Sequence, residues 1–286
     1  MRVLHRPVAS CVRIPAFGLV LGALLAFPPT TGQSTERPLP SQQQFLDEVF
    51  DKILAWERNP PRPNHRERRI TTDFDGDKVT ERLEEIYRIT WYRKQPVYVL
   101  EAKNGKPMPA SYIQTQEVRK KKAIDEEIAK PSSKEKIQAI YLTPLLQRYS
   151  YKLMGREHLG DRTAVKVRFD PIPGKFPEQK IASKIMENVY GYGWVDENEK
   201  ELMQAVVENN GSIHIGWGIL ANISQLHIHY TRHYLPDQRL WFVRSLKVRA
   251  KVRIFFWTSY NRLVESTFYD VNAPDIAGIQ YAEPKQ

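Results

Sequence analysis

Residues 246–254 read LKVRAKVRI, a strict alternation of apolar and basic side chains. Because successive side chains of a β-strand point to opposite faces, this alternation predicts a strand with one aliphatic face and one cationic face. Residues 163–169 (TAVKVRF) repeat the pattern, with two cations opposite an apolar set. A sheet of such strands must bury its apolar side against another layer of structure.

Similar strand-like segments run through most of the chain after the first 60 residues. They lie at 66–74, 78–92, 97–102, 149–154, 188–195, 202–208, 211–219, 223–233, 239–256 and 262–270. Asp75-Gly76 and Asn104-Gly105 favour tight hairpins, because both dipeptides tolerate positive φ. Residues 155–162 are expected to form a longer turn before 163–169. Strands that follow one another through short turns pair antiparallel.

Helices are predicted in two places. Residues 42–57 follow Ser41, a suitable N-cap, and repeat apolar side chains at helical spacing: Phe45, Leu46, Val49, Ile53 and Trp56. Residues 111–147 predict a helical insertion, with an exposed helix, a break at Pro131 and a second helix from about 133. The predicted class is therefore α+β: a curved antiparallel sheet, or half-barrel, with helices on its concave face.

The N-terminus has the pattern of a secretory signal peptide. Three arginines precede an apolar stretch at 14–27, and small or helix-breaking residues follow it at 28–32. The apolar stretch is short for a membrane span, which needs roughly 20 residues. We expect residues 1–32 to be cleaved, so that a single domain (33–271) with a flexible tail (272–286) reaches the periplasm or the exterior. A retained N-terminal anchor is the alternative.

Composition limits the chemistry of the mature chain. Its one cysteine, Cys11, lies in the predicted signal peptide, so the mature chain has no disulfide and no thiolate nucleophile. The formal net charge is +10, and the three signal-peptide arginines account for part of it. Excess positive charge suggests anionic partners, which outside the cytoplasm are lipid headgroups more often than nucleic acid. Simple solubility is the alternative.

Two histidines suggest a metal site. His227 and His229 are two apart on a predicted strand, so they point to the same side and could ligate a metal together. They lie on the polar side of that strand, and no carboxylate or cysteine stands at a close ligand-like spacing. Surface histidines are the simpler interpretation, and no cofactor is expected. No Ser-His-Asp order, phosphate-binding glycine loop or HExxH motif is present either.

Two other groups of side chains are candidates for binding. Aromatic residues that could line a site for an apolar ligand are Tyr190, Tyr192, Trp194, Trp217 and Trp241. A cationic ladder that could meet an anionic headgroup or a membrane surface is formed by Lys247, Arg249, Lys251 and Arg253. The alternatives are core packing for the aromatic residues and, for the ladder, solvation or pairing with Glu265 and Asp270 on the next strand.

Several short patterns between about 149 and 270 resemble the LolA-like superfamily of periplasmic lipoprotein carriers. The similarity is to exported bacterial proteins labelled outer-membrane lipoprotein-sorting-like. The patterns are Gly155-Arg156-Glu157, 165–169 (VKVRF), 192–196 (YGWVD), 216–220 (GWGIL), 234–236 (YLP) and the basic strand 246–254. The resemblance implies a half-barrel whose concave side is plugged by helices, with a cavity for acyl chains between them.

Together these observations predict a periplasmic, non-enzymatic protein. Its expected partners are a lipid or an acylated protein, in outer-membrane lipoprotein or lipid trafficking, and an anionic membrane surface. Nucleic acid is not expected. One alternative is a structural or interaction protein of the envelope without a ligand. The other is a metal-dependent hydrolase that uses His227 and His229.

Overall fold

One twelve-stranded antiparallel sheet carries the fold. The computed structural model describes residues 37–129, 146–174, 181–215, 221–255 and 258–272. The helices within them are α1 (Gln42–Arg58), α2 (Ala110–Ala129) and α3 (Ile181–Met186). The strands are β1 (Asn64–Asp75), β2 (Lys78–Tyr92), β3 (Gln95–Lys103), β4 (Lys106–Pro107), β5 (Tyr149–Leu159), β6 (Arg162–Pro171), β7 (Val189–Asp196), β8 (Leu202–Asn209), β9 (Ile213–Ile215), β10 (Ala221–Leu235), β11 (Leu240–Ile254) and β12 (Thr258–Asn272).

The sheet is curved and open, with the strand order β4-β3-β2-β1-β12-β11-β10-β8-β7-β6-β5 and β9 beside β10. Most neighbours in the sheet are also neighbours in the chain, as the short turns predict. The exception in the centre is β1, which pairs with β12. This pairing joins the hairpins formed by β1 to β4 to the strands that follow β5.

The predicted position of the turn, residues 155–162, is wrong. Strand β5 continues to Leu159, and the hairpin turn lies at Gly160 and Asp161. Gly155 instead forms a bulge, where the register against β6 shifts and the φ angle is +150°. Only glycine adopts such an angle without strain, so its presence marks an irregularity within the strand here.

The register of the strands separates two faces. Val167, Leu246 and their partners across the sheet lie on one side, which we call the apolar face. Lys166, Arg168 and the cationic ladder lie on the other side, which we call the charged face. The apolar and basic sides of 246–254 thus match those of 163–169 across the strands that lie between them.

The helices lie on both faces. On the apolar face, Phe45, Leu46 and Val49 of α1 are buried against Val165 and Val167. Helix α3 packs on the same face, where its side chains contact a cluster around the buried Tyr149, Val189 and Ile213.

Helix α2 lies on the charged face, so the expectation that helices share one face is wrong for it. Glu117 of α2 accepts a hydrogen bond from Arg88 at 3.1 Å, and Asp125 accepts one from the Tyr92 hydroxyl at 3.1 Å. No α2 residue is buried. Ion pairs and hydrogen bonds, such as that from the Gln116 amide to the Leu100 carbonyl, thus join α2 to the charged face.

Some expectations concern residues outside the described ranges. These are the signal peptide (1–32), most of the second insertion helix (133–147), Trp217 and all of the tail but Asn272, which ends β12. Among the described residues, no helix combines the length and apolar character that a membrane crossing requires.

Candidate ligand-binding surfaces

Three of the aromatic candidates lie on the charged face, opposite the side that α1 covers. In the β6–β7 register, Tyr192 stands opposite Arg168 and Trp194 opposite Lys166. The Lys166 Nζ atom is 4.9 Å from the Trp194 ring centre and 5.1 Å from that of Tyr192. The Arg168 guanidinium is 5.7 Å from the rings of both Tyr190 and Tyr192. These distances are in the range of cation–π contact, so the rings are already in contact with protein cations.

The two described tryptophan candidates are packed together. Trp194 (8% exposed) and Trp241 (6% exposed) belong to one cluster with Ala164 and Met203. The Trp194 indole N–H donates to Glu157 at 2.6 Å, and the Trp241 indole N–H donates to Glu199 at 2.5 Å. Each ring is buried with its one polar atom satisfied, which is the arrangement of a stable wall.

The stability that Glu157 contributes to this cluster depends on pH. Hydrogen bonds from Trp194 and Lys166 hold the pKa of Glu157 below its ordinary value of 4.5. A carboxylate whose pKa is lowered by folding stabilises the protein above that ordinary value, and the contribution is lost as the pH falls through the folded-state pKa. We expect Glu157→Gln to be less stable than the wild type at neutral pH, with a difference that shrinks in acid. Urea unfolding of both proteins over a pH series tests this, and a difference that stays constant contradicts it.

The cationic ladder is neutralised at one end only. Lys247 pairs with Glu265 at 2.8 Å, which confirms the expected β11–β12 partner, and the Arg249 guanidinium lies 3.9 Å from the Phe74 ring centre. Asp270 pairs with Arg66 instead. Lys251 and Arg253 form no ion pair with any described residue, and their cross-strand partners are neutral: Gln225, Asn261, Asn222 and Ser259. This end of the ladder therefore presents uncompensated positive charge.

The two histidines lie on the charged face beside the ladder. His227 stands opposite Arg249 and His229 opposite Lys247. The His227 Nδ1 atom is 3.1 Å from a carboxylate oxygen of Glu208. Burial, followed by the neighbouring His227 and Lys247 charges, lowers the pKa of His229. Within the described part of the chain no three His, Cys, Asp or Glu residues are placed to hold a metal, and cations at the neighbouring positions repel one.

The apolar face is covered unevenly. Val165, Val167 and Val195 are buried where α1 packs on β6 and β7. Farther across the same face, five side chains on β10, β11 and β12 are only partly buried, and we call them the apolar stripe: Ile228, Tyr230, Leu246, Val248 and Val264. They form two adjacent cross-strand rows, so the stripe is continuous.

A polar cluster borders the stripe on the same face. Glu67, 3% exposed, accepts two hydrogen bonds from Arg69 at 2.9 Å and one from the Ser266 hydroxyl at 2.6 Å. The Arg69 guanidinium lies 5.0 Å from the Tyr87 ring centre. In the register, Arg69 stands opposite Ser266, which stands opposite Leu246 of the stripe. The face thus changes from apolar to hydrogen-bonding within two strands.

A cavity of about 610 Å³ lies at one end of the sheet. The turn between β5 and β6 lines it together with the ends of β8, β10 and β11. Trp241 forms part of its wall, and Arg162 is stacked 4.9 Å from the ring centres of both Trp241 and Tyr234. Asp196 and Glu199 hold Arg162 at 2.9 and 2.8 Å. No sequence motif indicated this cavity.

Comparison with known proteins finds similarity in solved structures only, since no family model and no curated protein matches the chain. A DUF1329 family protein from Desulfovibrio piger is 11% identical, with a TM-score of 0.36 over 81% of this chain and 94% of its own. A putative outer membrane lipoprotein-sorting protein domain from Vibrio parahaemolyticus is 8% identical, with a TM-score of 0.36 over 81% and 93%.

A third solved structure is a LolA superfamily protein from Nitrosomonas europaea. It is 8% identical, with a TM-score of 0.31 over 84% of this chain and 96% of its own. The name of that protein includes the superfamily that the sequence patterns resemble. At TM-scores this low, a function for this chain has to come from its own side chains.

Proposed function

We propose that this chain is a non-enzymatic periplasmic protein that binds a lipid, or an acylated protein, through the apolar stripe of its sheet. The observation that carries the proposal is the change along the apolar face, which is buried under α1 at β6 and β7 and partly exposed at the stripe. Contiguous apolar surface left in contact with water is typical of a binding site. Covering it contributes roughly 25 cal/mol per Å² to binding.

The polar cluster beside the stripe favours an amphiphile over a plain hydrocarbon. Ser266 and Arg69 are one and two strands away from the stripe residue Leu246, so a chain lying on the stripe brings its polar end to the Arg69 guanidinium. The Arg69 guanidinium keeps N–H groups beyond the two that Glu67 accepts. A lipid or an acylated peptide has this combination of an apolar chain and a hydrogen-bonding end.

The charged face has a different role in this proposal. Lys251 and Arg253, together with Arg249, are assigned to contact with an anionic membrane surface, where each cation contributes about 1 kcal/mol. Tyr190, Tyr192, Trp194 and Trp241 are assigned to support of that face, because they lie away from the stripe. The stripe and the ladder would then hold an acyl chain and a membrane on opposite sides of one sheet.

Val248→Gln tests the proposal, because Val248 lies within the stripe and is only partly buried. A polar side chain there removes apolar contact and places an amide in the path of the acyl chain. We expect roughly tenfold weaker lipid binding, from the loss of about 1.5 kcal/mol of apolar burial. The measurement is lipid occupancy by native mass spectrometry after incubation with phospholipid vesicles.

Lys247→Gln is the matched control, since it changes the adjacent residue on the opposite face. It should leave lipid occupancy unchanged. A wild-type protein that carries no lipid after purification and takes up none from vesicles would contradict the proposal. It would favour an envelope scaffold whose stripe contacts another protein. Equal occupancy in Val248→Gln and the wild type would place the lipid elsewhere.

A further inference from the structure

We propose that the cavity at the end of the sheet is a second ligand site, separate from the apolar stripe, and that it takes a phosphate group. Its volume of about 610 Å³ is within the range of small-molecule sites. The lining includes Gln204, Thr231 and Ser245, which the register places on the charged face, and none of the stripe residues lines the cavity. Binding here goes beyond the proposed acyl-chain site and does not depend on it.

The floor of the cavity is a row of hydrogen-bonding side chains. Thr231 of β10 stands opposite Gln204 of β8 on one side and Ser245 of β11 on the other. The two hydroxyl oxygens are 2.7 Å apart, so one donates to the other and the second keeps its hydrogen for a ligand. The Gln204 amide forms no hydrogen bond with any described residue and can donate as well.

Three arginines surround this floor, and two of them are already held. Arg162 is bound by Asp196 and Glu199, while Arg232 donates to Glu201 at 2.9 Å and to the Trp241 carbonyl at 3.0 Å. These fixed groups form the rigid wall. The carboxylate in the lining, Asp161, lies at the tip of the β5–β6 turn.

Arg244 is the third arginine and the one with capacity for a ligand. It lines the cavity, is exposed, and pairs with no carboxylate in the described ranges. It lies near His233, whose pKa is lowered by burial and by the Arg244 charge. The His233 Nδ1 atom is buried without a hydrogen-bond partner among the described residues. Two polar groups that line the cavity thus have no partner among the residues that the structure describes.

This set of groups matches phosphate. A guanidinium fork, the one free hydroxyl hydrogen and an amide all donate, and phosphate oxygens accept. The surplus of arginines over carboxylates in the lining disfavours a cation. Trp241, Tyr234 and Met203 add apolar surface for the organic part of a phosphate ester. The phosphate could belong to a soluble ester or to a lipid headgroup, and the two sources are separable.

Arg244→Gln tests the site, with Arg253→Gln as the matched control: both remove one unpaired, exposed arginine from β11, but only Arg244 lines the cavity. The probes are sn-glycerol 3-phosphate, followed by calorimetry, and phosphatidylcholine vesicles containing phosphatidic acid, followed by co-sedimentation. We expect Arg244→Gln to weaken glycerol 3-phosphate binding at least tenfold and Arg253→Gln to leave it unchanged. Ser245→Ala should weaken it by a smaller factor.

Saturable binding of free glycerol 3-phosphate that is lost in Arg244→Gln supports a site for soluble esters. Binding only to vesicles with phosphatidic acid, abolished in Arg244→Gln but only weakened in Arg253→Gln by the loss of one ladder cation, supports a headgroup site. Equal weakening of either kind of binding by both substitutions, or no weakening by either, overturns the proposal, because the charge would then act without a site. Val248→Gln should bind glycerol 3-phosphate normally. The experiments therefore distinguish an error in the proposed lipid site on the stripe from an error in the proposed phosphate site in the cavity.

Discussion

Gly191→Ala is expected to destabilise the protein by roughly 3 kcal/mol or more, enough to leave a large unfolded fraction. A Cβ atom at this position of β7 would overlap the carbonyl oxygen of Val206 and approach the Phe169 ring to 2.7 Å. The backbone cannot move away easily, because β7 is hydrogen-bonded to β6 on one side and to β8 on the other. The free energy of unfolding in urea measures the effect.

Gly193→Ala is the control for this prediction. Gly193 lies two residues along the same strand on the same face, but its added Cβ would meet only the Leu202 Cδ1 atom at 3.3 Å. That contact is with the end of a flexible side chain, which can shift by a few tenths of an ångström. We expect a change within about 1 kcal/mol, since the lower entropy of the unfolded chain offsets the contact. Similar losses at the two positions would mean that the β6–β7–β8 packing is not as described.

The sheet was predictable where the two sides of a strand differ in sequence. The alternation in 246–254 predicts β11 and its two faces, and both are found; of the two carboxylates considered as its partners, Glu265 pairs with Lys247 and Asp270 pairs with Arg66. Strand β1 shows the limit. It reads NHRERRITTDFD, with charges on both faces, because the buried carboxylate of Glu67 is balanced by Arg69 and Ser266. Ser266 is 199 residues away in the chain, so no local pattern could reveal the balance.

The candidate surfaces were predictable to a smaller extent. The sequence named Trp194 and Trp241 among five candidate liners of a ligand site, and the structure places these two in one buried cluster. The carboxylates that satisfy them, Glu157 and Glu199, are 37 and 42 residues away from their partners. The cavity combines a turn with the ends of three strands. Which residues meet at such a site depends on how neighbouring strands are paired. Alternation in the sequence indicates the two faces of each strand but not this pairing.

Phe45→Ala is the second large effect, with an expected loss of about 3–5 kcal/mol. Phe45 is 1% exposed and lies in the cluster that joins α1 to Val165, Val167 and Val195 of the apolar face. Removing the ring leaves a cavity that valine side chains on a hydrogen-bonded sheet cannot fill. Thermal unfolding and urea unfolding both report the loss.

Trp56→Ala is the control on the same helix, because Trp56 is 44% exposed despite its larger ring. It should cost less than about 1 kcal/mol. A loss in Trp56→Ala as large as that in Phe45→Ala would contradict the orientation of α1 on the sheet.

Weaker packing of α1 in Phe45→Ala should also expose an edge strand of the sheet and increase aggregation. The Gln42 amide of α1 donates to the Tyr151 carbonyl at 3.0 Å and accepts from the Leu153 N–H at 3.3 Å. Gln42 thereby occupies hydrogen-bonding groups of β5, one of the two edge strands of the sheet. Exposed edge strands pair with other chains, so Phe45→Ala should aggregate faster than its stability alone predicts. Gln42→Ala should raise the aggregation rate with little loss of stability. Light scattering that stays at the wild-type level in Gln42→Ala would show that this side chain does not protect the edge.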